Sequence, residues 1–169
     1  MKKLVKVAII AVALSTSFVA NARQGQVAAG GGLFVGGNYR MHFGPCVMFQ
    51  VNITDPIRLE GSFMWSFQKS SVNVWGVNLN AHYLFPMSGT RFTLYPLAGL
   101  GWFGYRSDDD VSHHGIYGSI NRPGFNVGGG IDLALTQRLI LNFEASHKFV
   151  FYNNLPNPYF ISMGLVYRF

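Results

Sequence analysis

A single cysteine, Cys46, stands in 169 residues, so no intramolecular disulfide framework holds this fold. Charge is scarce too, 12% of residues against roughly 25% in soluble domains. Disorder, which requires low hydrophobicity and high charge, is excluded. Beyond the N-terminal segment no run approaches the roughly 20 apolar residues of a membrane-spanning helix, because Asn, Gly, Ser, Arg or Glu interrupts each one. Yet 49% of the residues are hydrophobic and 15% aromatic, and that apolar surface must be accommodated. The formal charge of +6 is less basic than it looks. Lys2, Lys3 and Lys6 lie in the first six positions, and the rest carries 10 minus 7, or +3. No nucleic-acid partner is expected.

Residues 1–22 have the order of a secretory signal peptide: a cationic start, an apolar stretch from Val7 to Leu14, and a tail ending Ala20-Asn21-Ala22. The apolar stretch is too short to cross roughly 30 Å of hydrocarbon. A lipoprotein would need Cys after the cut, where Arg23 stands. The expected mature domain is 23–169, exported.

What recurs in that domain is alternation with period two, which puts successive side chains on opposite faces of a strand. From Tyr159 to Phe169 one face carries Tyr159, Ile161, Met163, Leu165, Tyr167 and Phe169, and the other Phe160, Ser162, Gly164, Val166 and Arg168. Leu139, Leu141, Phe143, Ala145, Phe149 and Phe151 likewise oppose Asn142, Glu144, Ser146 and Lys148, with His147 the polar member of the apolar row. Turn signals divide the domain into eight runs, near 27–37, 43–53, 57–67, 73–85, 92–106, 123–135, 138–151 and 158–169. Gly and Pro96 blur the phase of the first and fifth. Connections after the even runs are tight, while the others include a polar stretch from Ser107 to Arg122. Short turns at one end and longer loops at the other are the habit of outer-membrane barrels. The expected fold is all-β: an eight-stranded antiparallel up-and-down transmembrane β-barrel, with both termini at the short-turn, periplasmic end.

A soluble sandwich or lipocalin-like barrel would turn the apolar rows inward. The opposite face, however, carries Arg58, Glu60, His82, Asp132, Asn142, Glu144, Lys148 and Arg168, too polar a set for a dry core. Inversion would expose whole rows of large apolar side chains, and apolar surface on that scale marks a membrane or partner surface. A closed sheet also satisfies every backbone donor and acceptor, as lipid demands. The eight polar residues are therefore expected as an interior network, with Arg58 to Glu60 and Arg168 to Glu144 as candidate contacts. Amphipathic rings favour the headgroup level. Trp65, Phe67, Trp75, Trp102, Phe149, Phe151 and Tyr159 are assigned to a belt at the long-loop rim, and Tyr83, Phe85, Phe92, Tyr167 and Phe169 to one at the short-turn rim.

The closing MGLVYRF (163–169) resembles the C-terminal strand by which barrel-assembly machinery recognises its clients. In that resemblance Ile161, Met163, Leu165, Tyr167 and Phe169 are the assembly signal. VNLNAHYLF (77–85), LYPLAGLG (94–101) and GGGID (128–132) are similar to the porin-family outer-membrane β-barrel domain, a group akin to small OmpX- and OmpA-type barrels. The likeness spans nearly the whole mature chain. It implies an integral protein of a Gram-negative outer membrane in contact with lipid and lipopolysaccharide. Members share architecture more than activity.

Several motifs fail on this scaffold. Gly99 to Gly104 spells G-x-G-x-x-G, but a dinucleotide site needs a strand-to-helix turn. Gly128-Gly129-Gly130 lacks the following Lys-Ser/Thr of a phosphate loop. Asp108-Asp109-Asp110 with His113-His114 matches no established metal spacing. Lipid A deacylase barrels use a His-x-Ser pair, whereas Ser146 and His147 are adjacent and project to opposite faces. No catalytic residue, cofactor or metal is expected. The expected role is structural or surface-interacting, through an extracellular ligand met by loop 107–122 and the Asn153 to Asn157 segment, with the protein a monomer. A small gated channel is the alternative, and a lipid A-modifying enzyme a more distant one.

Overall fold

Period-two alternation becomes, in the computed structural model, eight antiparallel strands. They are β1 (Val27–Gly37), β2 (Met41–Asn52), β3 (Ile57–Trp65), β4 (Val72–Tyr83), β5 (Phe92–Ser107), β6 (Ser119–Ala134), β7 (Leu139–Val150) and β8 (Tyr159–Arg168). A two-residue piece, Phe85–Pro86, prolongs β4 along β5 in the same register. The structure describes residues 24–37, 41–67, 72–107, 119–151 and 157–169. The expected signal peptide, the Asp108–Asp110 and His113–His114 run, and all but the last residue of the Asn153–Asn157 segment lie outside them. Among the described residues there is no helix.

Each strand pairs with its sequence neighbours, and β8 returns to β1, closing the sheet. A walk through directly paired residues measures the stagger. It runs Val27, Val51, Leu59, Ala81, Ala98, Val127, His147, Tyr159 and back to β1 at Gly37. The return point is ten residues along from the start, so the barrel has eight strands and a shear of ten. Strands in such barrels tilt by roughly 35–45° from the axis. Closure leaves no unpaired edge.

Facing follows parity throughout. The outer wall carries Leu33, Phe43, Val47, Phe49, Phe63, Leu79, Leu100, Ile161, Met163 and Leu165, all large, apolar and exposed. The inner wall carries the polar residues, although not uniformly. Ala28, Phe34, Cys46, Met48, Met64, Ile140, Phe160 and Val166 form one buried apolar cluster, mostly along β1, β2 and β8. The polar groups gather mainly from β3 to β7. The lumen is thus itself two-sided.

One boundary differs from the sequence reading. β6 starts at Ser119, so Ser119 to Arg122, expected in a loop, pair with β5 from Arg106 to Phe103. Above a hydrocarbon layer a strand need not alternate apolar with polar, and its sequence signature fades there. β5 and β6 accordingly reach 16 residues each, against 9 to 12 in the other six.

Tight curvature explains some glycines. A Cβ on Gly32 would run into the Met163 carbonyl and the Gly164 backbone of β8, neither of which can swing aside. At Gly61, on the outer wall, a Cβ would meet nothing within 4 Å. Gly32→Val is therefore expected to lose most of the heat-modifiable folded band on gels, and Gly61→Val to keep it. Overpacking of this kind costs about 1–3 kcal/mol or more.

Candidate functional site

The chemistry of the molecule sits inside the cylinder, in two hydrogen-bonded clusters at different depths. Arg58, second residue of β3, anchors the cluster near the short-turn end. Its direct cross-strand partner is His82 on β4, so both side chains enter the lumen together. Arg58 Nε and Nη2 approach His82 Nδ1 at 3.1 and 2.9 Å. Nη1 crosses the lumen to Asp132 Oδ2 on β6 at 2.5 Å. The other oxygen of Asp132 accepts from Asn142 Nδ2 at 2.7 Å. Asn142 Nδ2 also donates to the Tyr95 hydroxyl at 2.6 Å, which contacts Glu144 Oε2 at 3.4 Å. The Tyr95 ring stacks on His82 at 4.6 Å, nearly parallel, with the Arg58 guanidinium 4.7 Å from its centroid. Since a guanidinium only donates, His82 Nδ1 must accept, and a neutral ring then carries its proton on Nε2.

Lys148, near the loop end of β7, centres the second cluster. Its ammonium donates to Asn78 Oδ1 at 3.0 Å and approaches Asn126 Oδ1 at 3.4 Å. It also lies 5.1 and 5.6 Å from the ring centroids of Phe103 and Phe160. Asn126 donates to Asn78 Oδ1 at 3.1 Å and Asn80 Oδ1 at 2.9 Å, and Asn78 to Ser62 Oγ at 3.3 Å. Between the clusters, Gln50 donates to Glu60 Oε2 at 2.8 Å.

All eight residues assigned to the interior from sequence project inward. Seven are buried, and Glu144 is partly so. The two candidate ion pairs are not formed. Arg58 pairs with Asp132 rather than Glu60, and Glu144 meets Tyr95 rather than Arg168. Arg168 instead lines the short-turn mouth with Gln26, Asn52 and Arg58. Shear decides such pairings, because it brings strands distant in sequence to one height. Sequence reasoning left Tyr95, Gln50, Asn78, Asn80 and Asn126 out of the network. Parity places all four amides inward, and already sets Asn78 and Asn80 with His82 opposite the apolar row of Trp75, Val77 and Leu79. Tyr95 was hidden because both faces of β5 carry large apolar side chains.

The lumen is filled. Its larger described cavity has about 30 Å³ and opens beside Glu60, Glu144 and Lys148, room for about two waters; a second, at the short-turn mouth, has about 10 Å³. Ser146 is buried inside. His147 is on the outer wall, its ring 4.0 Å from Tyr159 and 4.3 Å from Phe149 between centroids.

The rings assigned to belts lie on the outer wall. Trp65 directly opposes Trp75, whose indole lies over Gly104. Trp65, Phe67, Trp102, Phe151 and Tyr159 are exposed at the loop end, and Tyr83, Phe85, Phe92, Tyr167 and Phe169 at the turn end. Phe149 is half-buried because Phe125 stacks on it at 4.4 Å. Ile161, Met163, Leu165, Tyr167 and Phe169 form the exposed row of β8.

Residues 8–169 match the profile of a family described as "Outer membrane protein beta-barrel domain". No curated protein is significantly similar by sequence. Among solved structures, the N-terminal β-barrel domain of Pseudomonas aeruginosa OprF is similar with a TM-score of 0.69 at 18% identity, covering 88% of this chain and 100% of that one. Neisserial surface protein A is similar with a TM-score of 0.68 at 16% identity, covering 85% and 96%. Ail, the attachment invasion locus protein of Yersinia pestis, in complex with the heparin analogue sucrose octasulfate, gives 0.63 at 14%, covering 86% and 99%. Likeness at these identities carries the fold alone.

Removing one partner of a buried ion pair strands the other charge, at about 3–5 kcal/mol. Asp132→Ala is expected to destabilise the barrel by that order in urea unfolding from lipid vesicles. Arg58→Met added to it should recover part of the loss, because no guanidinium is then left uncompensated.

Proposed function

This chain belongs to the outer membrane β-barrel domain family, and from that premise we propose that it acts at the cell surface through its long-loop end, with a structural or ligand-contacting role rather than as a channel or an enzyme. The observation that carries this reading is the filled lumen. The Arg58–Asp132 pair crosses it at one depth and the Lys148–Asn78–Asn126 cluster at another, and its larger described cavity holds only about 30 Å³. A barrel of eight strands is just wide enough for its own side chains. The interior network serves as a rigid filling, and the outward row of β8 as the mark read by assembly machinery. Separation of Ser146 from His147 by the wall argues against ester chemistry at that pair. The polysulfated ligand held by Ail supports an external binding role, which loop 107–122 would serve here. The aromatic rows hold the barrel at the two headgroup levels, amid lipid and lipopolysaccharide. The start of β1 and the end of β8 lie at the short-turn end, Ala28 opposite Arg168, and that end faces the periplasm.

Planar-bilayer recording on folded protein is expected to give no discrete conductance steps. Reproducible steps would replace this reading with the channel. Orientation has its own check. An epitope inserted between Val111 and Ser112 is expected to be reached by antibody on intact cells, and one placed ahead of Gln24 only after permeabilisation; the reverse pattern overturns the assignment.

A further inference from the structure

Three cations and three anions share the lumen, but they are not matched one to one. Asp132 has Arg58 in contact. Glu60 and Glu144 have only neutral donors, the Gln50 amide and the Tyr95 hydroxyl. Among the described residues, neither lies within 4.0 Å of a Lys, Arg or His nitrogen. One oxygen of Glu60, one of Glu144 and a ring nitrogen of His82 nevertheless lie within 4.8 Å of one another. Two carboxylates this close, one buried and one half-buried, repel unless something positive lies between them.

A second observation concerns the histidine of the same group. His82 is 1% exposed, and its Nδ1 is taken by Arg58. Its Nε2 is buried with no hydrogen-bond partner. A buried N–H in that position calls for an oxygen acceptor. The cavity of about 30 Å³ beside Glu60 and Glu144 is also lined by Ser62, Asn78, Ser146 and Ser162, so water and neutral oxygens are at hand.

We propose that Glu60 and Glu144 bind one hard divalent cation of calcium size inside the barrel, with His82 Nε2–H donating to an oxygen of the ion's shell. Coordination habit selects the ion. Magnesium demands near-ideal octahedral geometry and keeps several of its waters, for which a cavity of about 30 Å³ leaves little room, whereas calcium accepts an irregular set of six to eight oxygens, carboxylate, neutral and water alike. The ring proton selects against zinc and its neighbours, which need the imidazole lone pair. Lys148 faces the same cavity, but its described hydrogen bonds go to Asn78 and Asn126. This site is independent of the surface role proposed above.

Terbium is a calcium-sized probe whose emission a nearby tyrosine sensitises, and Tyr95 touches Glu144. Full-length protein folded in detergent and stripped with EDTA is expected to give terbium luminescence. Calcium should displace it about tenfold more effectively than magnesium, and better than zinc. Glu60→Gln and Glu144→Gln should each abolish the signal. The triple change Asp108→Asn, Asp109→Asn, Asp110→Asn, which removes the acidic loop as a rival site, should leave it intact. Calcium should also raise, by several degrees, the temperature at which the unaltered protein loses its folded gel band. The proposal is overturned if emission survives both Glu→Gln changes, disappears with the loop variant, or yields better to zinc or magnesium. Should the Glu→Gln variants not fold, absence of calcium-selective displacement in the unaltered protein overturns it alone. That result would leave a shared proton as what holds the two carboxylates together.

Discussion

Backbone closure is the constraint on which the rest of this molecule depends. In hydrocarbon no water is present to satisfy an amide, so each strand must find a partner on both sides. β8 meeting β1 completes that requirement. Closure at eight strands with a stagger of ten then sets a narrow lumen, and parity commits every second residue to it. A chain obliged to be oily outside has only the middle of the cylinder in which to place its polar side chains.

The interior solves two problems with separate materials. Along β1, β2 and β8 it is packed with small and apolar groups such as Ala28, Phe34, Met48 and Val166, which need no partners. Across from them, arginine, lysine, carboxylates and amides hydrogen-bond to one another. Charged hydrogen bonds in such a setting are stronger than in water, and unpaired groups are correspondingly costly. Tyr95 links the two needs. Its ring covers His82 and Arg58 as an apolar plate, while its hydroxyl joins Asn142 to Glu144.

Much of this was readable in the chain, for a physical reason. Alternation is a local property, so strands such as β3 and β8 and the inward facing of Arg58, Glu60 or Lys148 follow from a few neighbouring residues. Height is not local. Arg58 and Asp132 stand 74 positions apart and meet only because stagger accumulates strand by strand around the wall. The same limit hid the gathering of Glu60, His82 and Glu144 from three strands. Where alternation is weak the reading was weak as well: β5 offers bulky residues on both faces, and the start of β6 has no lipid to impose a pattern.

The unequal strand lengths leave the cylinder with a lopsided crown. At the turn end the strands finish almost level, as tight turns require. At the other end β5 and β6 rise furthest among the described residues, with the start of β4 beside them (Val72 opposite Ser107) and β6 running on past the end of β7, on the order of 10 Å above the wall at β3 and β8. Among the described residues, that raised side is what a large body descending toward the mouth meets first, and one sliding along the membrane plane meets it from a single direction. The described wall therefore has a front and a back although it is close to cylindrical, and its rotational orientation among neighbours in a crowded membrane bears on what can touch it.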